Sequence, residues 1–164
     1  MNADAFRHLY GYHFAENRAT WDKYVMQLTD AQFTQPAAYS HGSVRDQIVH
    51  LMSADEMWFS ELQNAEPPAP FPAQINDREA IRARWDAIEH GMRAYLDGLQ
   101  DQMLFSRPIV EPEEDNVLFV WQVLLHVVNH GTDHRAQILR SLNDLGIKTV
   151  SQDYIFYVYD HPPA

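Results

Sequence analysis

Apolar residues recur at three- and four-residue intervals along four stretches of this chain, and each recurrence predicts a helix that buries one stripe. In the first, roughly Ala5 to Leu28, the stripe is Phe6, Leu9, Tyr10, His13, Asn17, Trp21, Tyr24 and Leu28, with Arg7, Glu16, Arg18, Asp22 and Lys23 mostly off it. Asp30 to Ser43 contains Pro36, Ser40, His41 and Gly42 and reads as a connection. Ser43, followed by Asp46 and Gln47, predicts a hydroxyl-capped start for a second helix from about Val44 to Leu62, carrying Ile48, Leu51, Met52, Trp58, Phe59 and Leu62. The following NAEPPAPFP stops it, because proline cannot continue a helix and lacks a backbone donor. A third helix, about Asp77 to Leu99, buries Ile81, Trp85, Ile88, Met92, Tyr95 and Leu99, with Asn76 or Asp77 as its cap. The fourth runs from about Val117 to Leu145 and stops at Gly146, a residue suited to a left-handed terminal position.

Between Met103 and Val120 the pattern shifts to short β-prone pieces, LFSRPIV and NVLFVW, separated by EPEEDN. They predict a small hairpin or an irregular crossover. The tail SQDYIFYVYD is too apolar to stay in solvent and is expected to pack on the bundle or on a partner subunit. Four amphipathic helices, proline-rich punctuation and little strand signal predict an all-α four-helix bundle, one domain over residues 1–164 with no internal repeat.

Composition narrows the chemistry. With 46% hydrophobic and 12% aromatic residues the chain is expected to fold. No apolar run approaches the roughly 20 residues of a membrane span, and MNADAFRHLY lacks the apolar core of a signal peptide, so a cytoplasmic location is expected. Zero cysteines exclude disulfides, thiolate nucleophiles and Cys-type metal sites. Any metal must take nitrogen and oxygen ligands, and nine histidines make nitrogen available. A formal net charge of −11 without a basic stretch argues against nucleic-acid binding.

His126, His130 and His134 repeat at four-residue spacing on the fourth helix. With about 100° per residue, His134 and His126 lie about 40° either side of His130, within the apolar stripe. Imidazoles buried without partners cost free energy, so a metal or dedicated acceptors must offset them. A pair at i and i+4 can direct two rings at one ion. A third ligand can come from His50, beside the apolar face of the second helix with Asp46 four residues before it, or from His13 on the first helix. His8, His41, His90 and His161 fall on polar faces or in loops and are expected in solvent. Tyr10, Trp58, Phe59 and Trp121 read as core packing. HExxH, GxSxG and glycine-rich phosphate loops are all absent from the sequence.

Three blocks, LYGYHFAENRATW, SHGSVRDQIVHLMSADEMWF and HVVNHGTDHRAQILRSLNDLGI, together with the tail DYIFYVYD, resemble the DinB/YfiT-like superfamily of metal-binding four-helix bundles over nearly the whole chain. The resemblance implies one divalent ion, zinc or nickel, on His50, His130 and His134, with positions open to water or substrate. His13 and His126 become pocket-lining or supporting residues. The family often has a histidine just before the last ligand and a glycine two places after it; this chain has Asp133 and Ala136 there, a change at the pocket edge that bears on substrate choice.

The resemblance further implies a metal-dependent enzyme acting on a small-molecule substrate, activating a low-molecular-weight thiol for S-transfer. The alternatives are a hydrolase using metal-bound water, with Asp46, Asp133 or the less favourably placed Glu56 as base, and a non-catalytic stress-response metal-binding protein. An anionic thiol would need cationic contacts. Arg45 and Arg135 are nearest by sequence, although both read first as surface ion-pair residues. A homodimer is expected, with Phe156, Tyr157 and Tyr159 at its interface.

Overall fold

The computed structural model describes residues 1–162, and no strand occurs among them. Four long helices carry the fold: α1 (Ala3–Lys23), α3 (Val44–Leu62), α4 (Arg78–Asp97) and α5 (Val120–Asp144), with short helices α2 (Asp30–Phe33) and α6 (Tyr154–Asp160). The bundle is closed by α3 against α4 and α5, and by α1 against α4 and α5. No helix among the described residues is long and apolar enough to cross a membrane.

Local chemistry explains the boundaries. Ser43 and Asp46 form a reciprocal cap: the Asp46 amide donates to Ser43 Oγ (3.2 Å), and the Ser43 amide donates to Asp46 Oδ2 (3.2 Å). This fixes the start of α3 where the sequence places it, and the helix ends at Leu62 ahead of the prolines. Asp77 caps α4 by accepting from the Ala80 amide at 2.8 Å. Gly146, at φ +86°, ends α5. Ile147 N–H donates to the Leu142 carbonyl and Gly146 N–H to that of Asn143, the paired bonds of a Schellman motif.

Two expectations change, and a third is decided between its two alternatives. The first helix ends at Lys23, and Val25–Gln27 tightens into a 3-10 turn. The connection after Asp30 contains the single turn of α2, capped by Thr29 and Gln32, which inserts Phe33 into the core. The β-prone crossover forms no hairpin; it is irregular, with 3-10 turns at Asp101–Phe105 and Glu113–Asp115. Leu104 and Ile109 bury themselves against the bundle individually. Asn64 holds this crossover to the end of α3, donating from Nδ2 to the Pro108 carbonyl (2.8 Å) and accepting from the Val110 amide (3.2 Å).

The tail packs on α1. Tyr12 donates from its hydroxyl to the Gln152 carbonyl at 2.7 Å, and Tyr154 and Tyr157 cover Tyr12 and His8. His8, expected in solvent, is therefore half-buried. Ile155, Phe156 and Tyr159 face outward.

Candidate metal centre

The i, i+4 spacing on α5 sets His130 and His134 on the face that meets α3, where His50 approaches from its own helix. Ring centroids lie 4.2 Å apart for His130–His134, 4.5 Å for His50–His134 and 5.3 Å for His50–His130. A fourth imidazole joins them. The loop before α3 turns through Ser40 (φ 57°) and Gly42 (φ 97°), and lays His41 on His50 with centroids 3.6 Å apart and planes 15° from parallel. Ser40 Oγ donates to Gln137 on α5, and Gln47 Nε2 donates to the Gly42 carbonyl (3.1 Å), so both helices hold the loop. His41, expected simply in solvent, is exposed but belongs to the cluster. One ring nitrogen each from His41, His50 and His134 lie within 4.8 Å of one another, a triad that could hold a metal ion.

Electrostatics prepare these rings for a cation. Burial, then His41 and His134, push the His50 pKa down to about 4. Burial, then His134 and His50, bring His130 to about 4 against an opposing pull from Asp55. Burial and His41 also lower His134. His50 and His130 are thus neutral near pH 7, the form that donates a lone pair. His134 is 7% exposed and its buried Nδ1 has no hydrogen-bond partner. An all-nitrogen donor set with an orphaned ring nitrogen fits a divalent metal ion.

The DinB family model matches residues 1–163. The chain belongs to the DinB family. No curated protein matches it.

Beneath the histidines this DinB-family bundle buries a polar network that the sequence reading did not assemble. Arg135 is 1% exposed and donates from Nη1 to Asn17 Oδ1 (2.9 Å) and His13 Nδ1 (3.2 Å), and from Nη2 to Thr132 Oγ1 (3.2 Å). Arg135 can only donate to His13 Nδ1, and His13 Nε2 faces both Asp55 Oδ2 and Asn17 Nδ2, each at 3.1 Å. The His13 ring thus lies between a buried guanidinium and a buried carboxylate. Both had a sequence signal. Asp55 continues the apolar stripe Ile48, Leu51, Met52, and Arg135 that of Val128, Gly131, Ile138. His13, a contender for ligation, is fully buried in this network and not among the clustered rings. His126 is exposed at the edge of the cluster, against Trp58 (5.0 Å) and His130 (5.7 Å).

Gly131 lets α1 and α5 meet at this level. A Cβ there would lie 2.4 Å from His13 Cε1 and 3.0 Å from Arg135 Nη1, atoms with no freedom to retreat. Gly131→Ala is expected to cost about 1–3 kcal/mol by overpacking, exceeding the helix-propensity gain of up to about 1 kcal/mol. A lower urea midpoint would show it; an unchanged or raised one would contradict it.

The carboxylate candidates separate. Burial would raise the Asp46 pKa, but bonds from Ser43 and Arg45 outweigh it and leave it lowered. Asp46 lines the cavity beside His41 and His50, as does Glu56, which Arg84 holds at 2.6 Å. Asp133 is exposed, accepts from Gln137 Nε2 (2.9 Å), and does not line that cavity. Arg45 and Arg135 are not surface residues. Arg45 is 5% exposed and spends its guanidinium on the Pro72 carbonyl (2.8 Å), the Ile75 carbonyl (2.9 Å) and Asp46 (3.0 Å). Trp58 and Trp121 are half-buried, and Tyr10 and Phe59 belong to the core.

Proposed function

We propose that this DinB-family protein binds one divalent ion, zinc or nickel, through His50, His130 and His134 and uses it to activate a small thiol for S-transfer. The observation that carries the reading is the convergence of imidazoles from two helices, of which His50 lines, together with His41, an open cavity of about 510 Å³. Ring orientation favours His130 over His41 as the third ligand. Lone pairs lie in the ring plane, and the near-parallel stack of His41 on His50 keeps those two from aiming at one ion about 2 Å away. His130 is inclined 51° to His50 and 54° to His134. His41 then covers His50 from the loop side and can turn inward as a further donor.

When bound, such an ion lowers the pKa of a thiol or a water and draws it into the ionised form near neutral pH. The chain's own part is to fix the imidazoles on helices and to line the cavity with the apolar Val49, Met57, Phe71 and prolines. Hydrolysis is the second reading, favoured by the carboxylates of Asp46 and Glu56 on the same wall. In the same reading two copies pair over Phe156 and Tyr159 of α6, with the exposed Ile155 in place of Tyr157, which packs on α1 instead; a monomeric mass in light scattering at micromolar concentration contradicts that.

The test is elemental analysis of untagged protein followed by cobalt substitution and titration with 2-mercaptoethanol. Near one equivalent of metal and a new thiolate-to-cobalt absorption support thiol activation. Metal binding with no such band turns the search to ester and amide hydrolysis. Failure to bind any divalent ion after reconstitution ends the metal reading.

A further inference from the structure

The cavity at the histidines does not end there. It shares Met57, Pro67 and Pro68 with a second hollow of about 590 Å³, which continues along α3 to Asn64 and is closed on its far side by Val110 and Pro112. From His50 to Glu61 the helix advances about 16 Å, at 1.5 Å per residue. Both walls are anchored: Arg45 ties the proline-rich segment through Pro72 and Ile75, and Asn64 ties the crossover through Pro108 and Val110. A trough held from both sides and floored by apolar side chains has the character of a preformed ligand site.

Its charges are all of one sign. The charged residues lining the two hollows are Asp46, Glu56, Glu61 and Glu111, and no lysine or arginine lines either. Arg84 pairs with Glu56 and Arg45 with Asp46, so the uncompensated negative charge of the trough is that of Glu61 and Glu111 at its far end. At the far end Glu61 Oε2 has no hydrogen-bond partner, and Asp115 and Glu114 add to the negative potential around it.

We infer that the trough selects the substrate of the metal centre: a molecule with a ligating head, an extended apolar body and a cationic or hydrogen-donating far end seated at Glu61 and Glu111. Thiols and esters ending in carboxylate or phosphate are rejected. The inference rests on the metal reading above for the head group, and on the trough alone for the body and tail.

The experiment uses undecanethiols that differ only in a terminal amine, hydroxyl or carboxylate, titrated into the cobalt-loaded protein. The amine is expected to bind about tenfold or more tightly than the carboxylate, with the alcohol between, as when attraction replaces repulsion at partly exposed carboxylates. Glu61→Gln combined with Glu111→Gln levels the series. A metal-free arm follows the ¹³C-methyl signal of Met57, assigned with Met57→Leu, during addition of decylammonium or decanoate. Decylammonium is expected to shift it and decanoate to leave it in place. If the carboxylate binds as well as the amine, or the ordering survives the double variant, the inference is overturned while the metal reading stands. If no thiol reaches cobalt but decylammonium still moves Met57, the trough stands and thiol activation falls. An unmoved Met57 with both additives overturns the trough itself.

Discussion

Alanine at His50, His130 or His134 is expected to lower divalent-metal affinity by more than about 100-fold, beyond the 10- to 100-fold typical of losing a group that merely supports a ligand. Each substitution leaves two of the three proposed ligands, with only the stacked His41 ring nearby. His41→Ala is expected to retain most of the affinity, because its ring lies flat on His50 instead of pointing with it. Competition titration with a chromophoric chelator reads all four variants. A large loss in His41→Ala with little in His130→Ala would move the site to the loop-side triad. The pH dependence follows from the same rings. His50 and His130 have folded-state pKa values of about 4, below the ordinary 6.5. A depressed histidine contributes stability that is present above its unfolded pKa and is lost as pH falls through the folded value. The metal-free protein should therefore weaken between about pH 6.5 and 4. Metal affinity should stay nearly level from pH 8 to about 6, since little proton must leave, and collapse near pH 4.

Arg135→Met is expected to destabilise the fold by about 3–5 kcal/mol, the cost of leaving a buried charge uncompensated. That is a fifth or more of the roughly 5–15 kcal/mol by which most domains are stable. The guanidinium fills bonds to Asn17, His13 and Thr132, and its loss leaves Asp55, 1% exposed, with only His13 to balance it. Burial already pulls the Arg135 pKa below its usual range, with Tyr12 and Asp55 resisting. Asp55→Leu should be comparably damaging, and the pair of substitutions less so than their sum, because together they remove both charges. Urea unfolding of the two single variants and the double variant measures the coupling. Strictly additive losses would mean that Arg135 and Asp55 are not compensating each other through His13.

What the sequence determined by itself was local. The Ser43 and Asp46 cap, the prolines after Leu62 and the stop at Gly146 operate within a few residues, and α3 and the end of α5 fall where those signals place them. Four apolar stripes suffice for the bundle, and the spacing of His130 and His134 sets both on one face of their helix; that this face meets α3 is tertiary. Their company was decided by the tertiary structure. His41 reached the cluster because two left-handed residues and bonds from two helices steer a loop that has no periodicity to read. LFSRPIV and NVLFVW have the composition of strands, but β preference is realised through pairing, and without a partner they became an irregular wall. Arg45, Asp55 and Arg135 show the remaining difference. A charge on a stripe stays buried only when partners distant in the chain complete it, as His13 does for Arg135 across 122 residues. Capping and periodicity act along the backbone, whereas the burial of charge and the sign of a cavity wall depend on which helices meet.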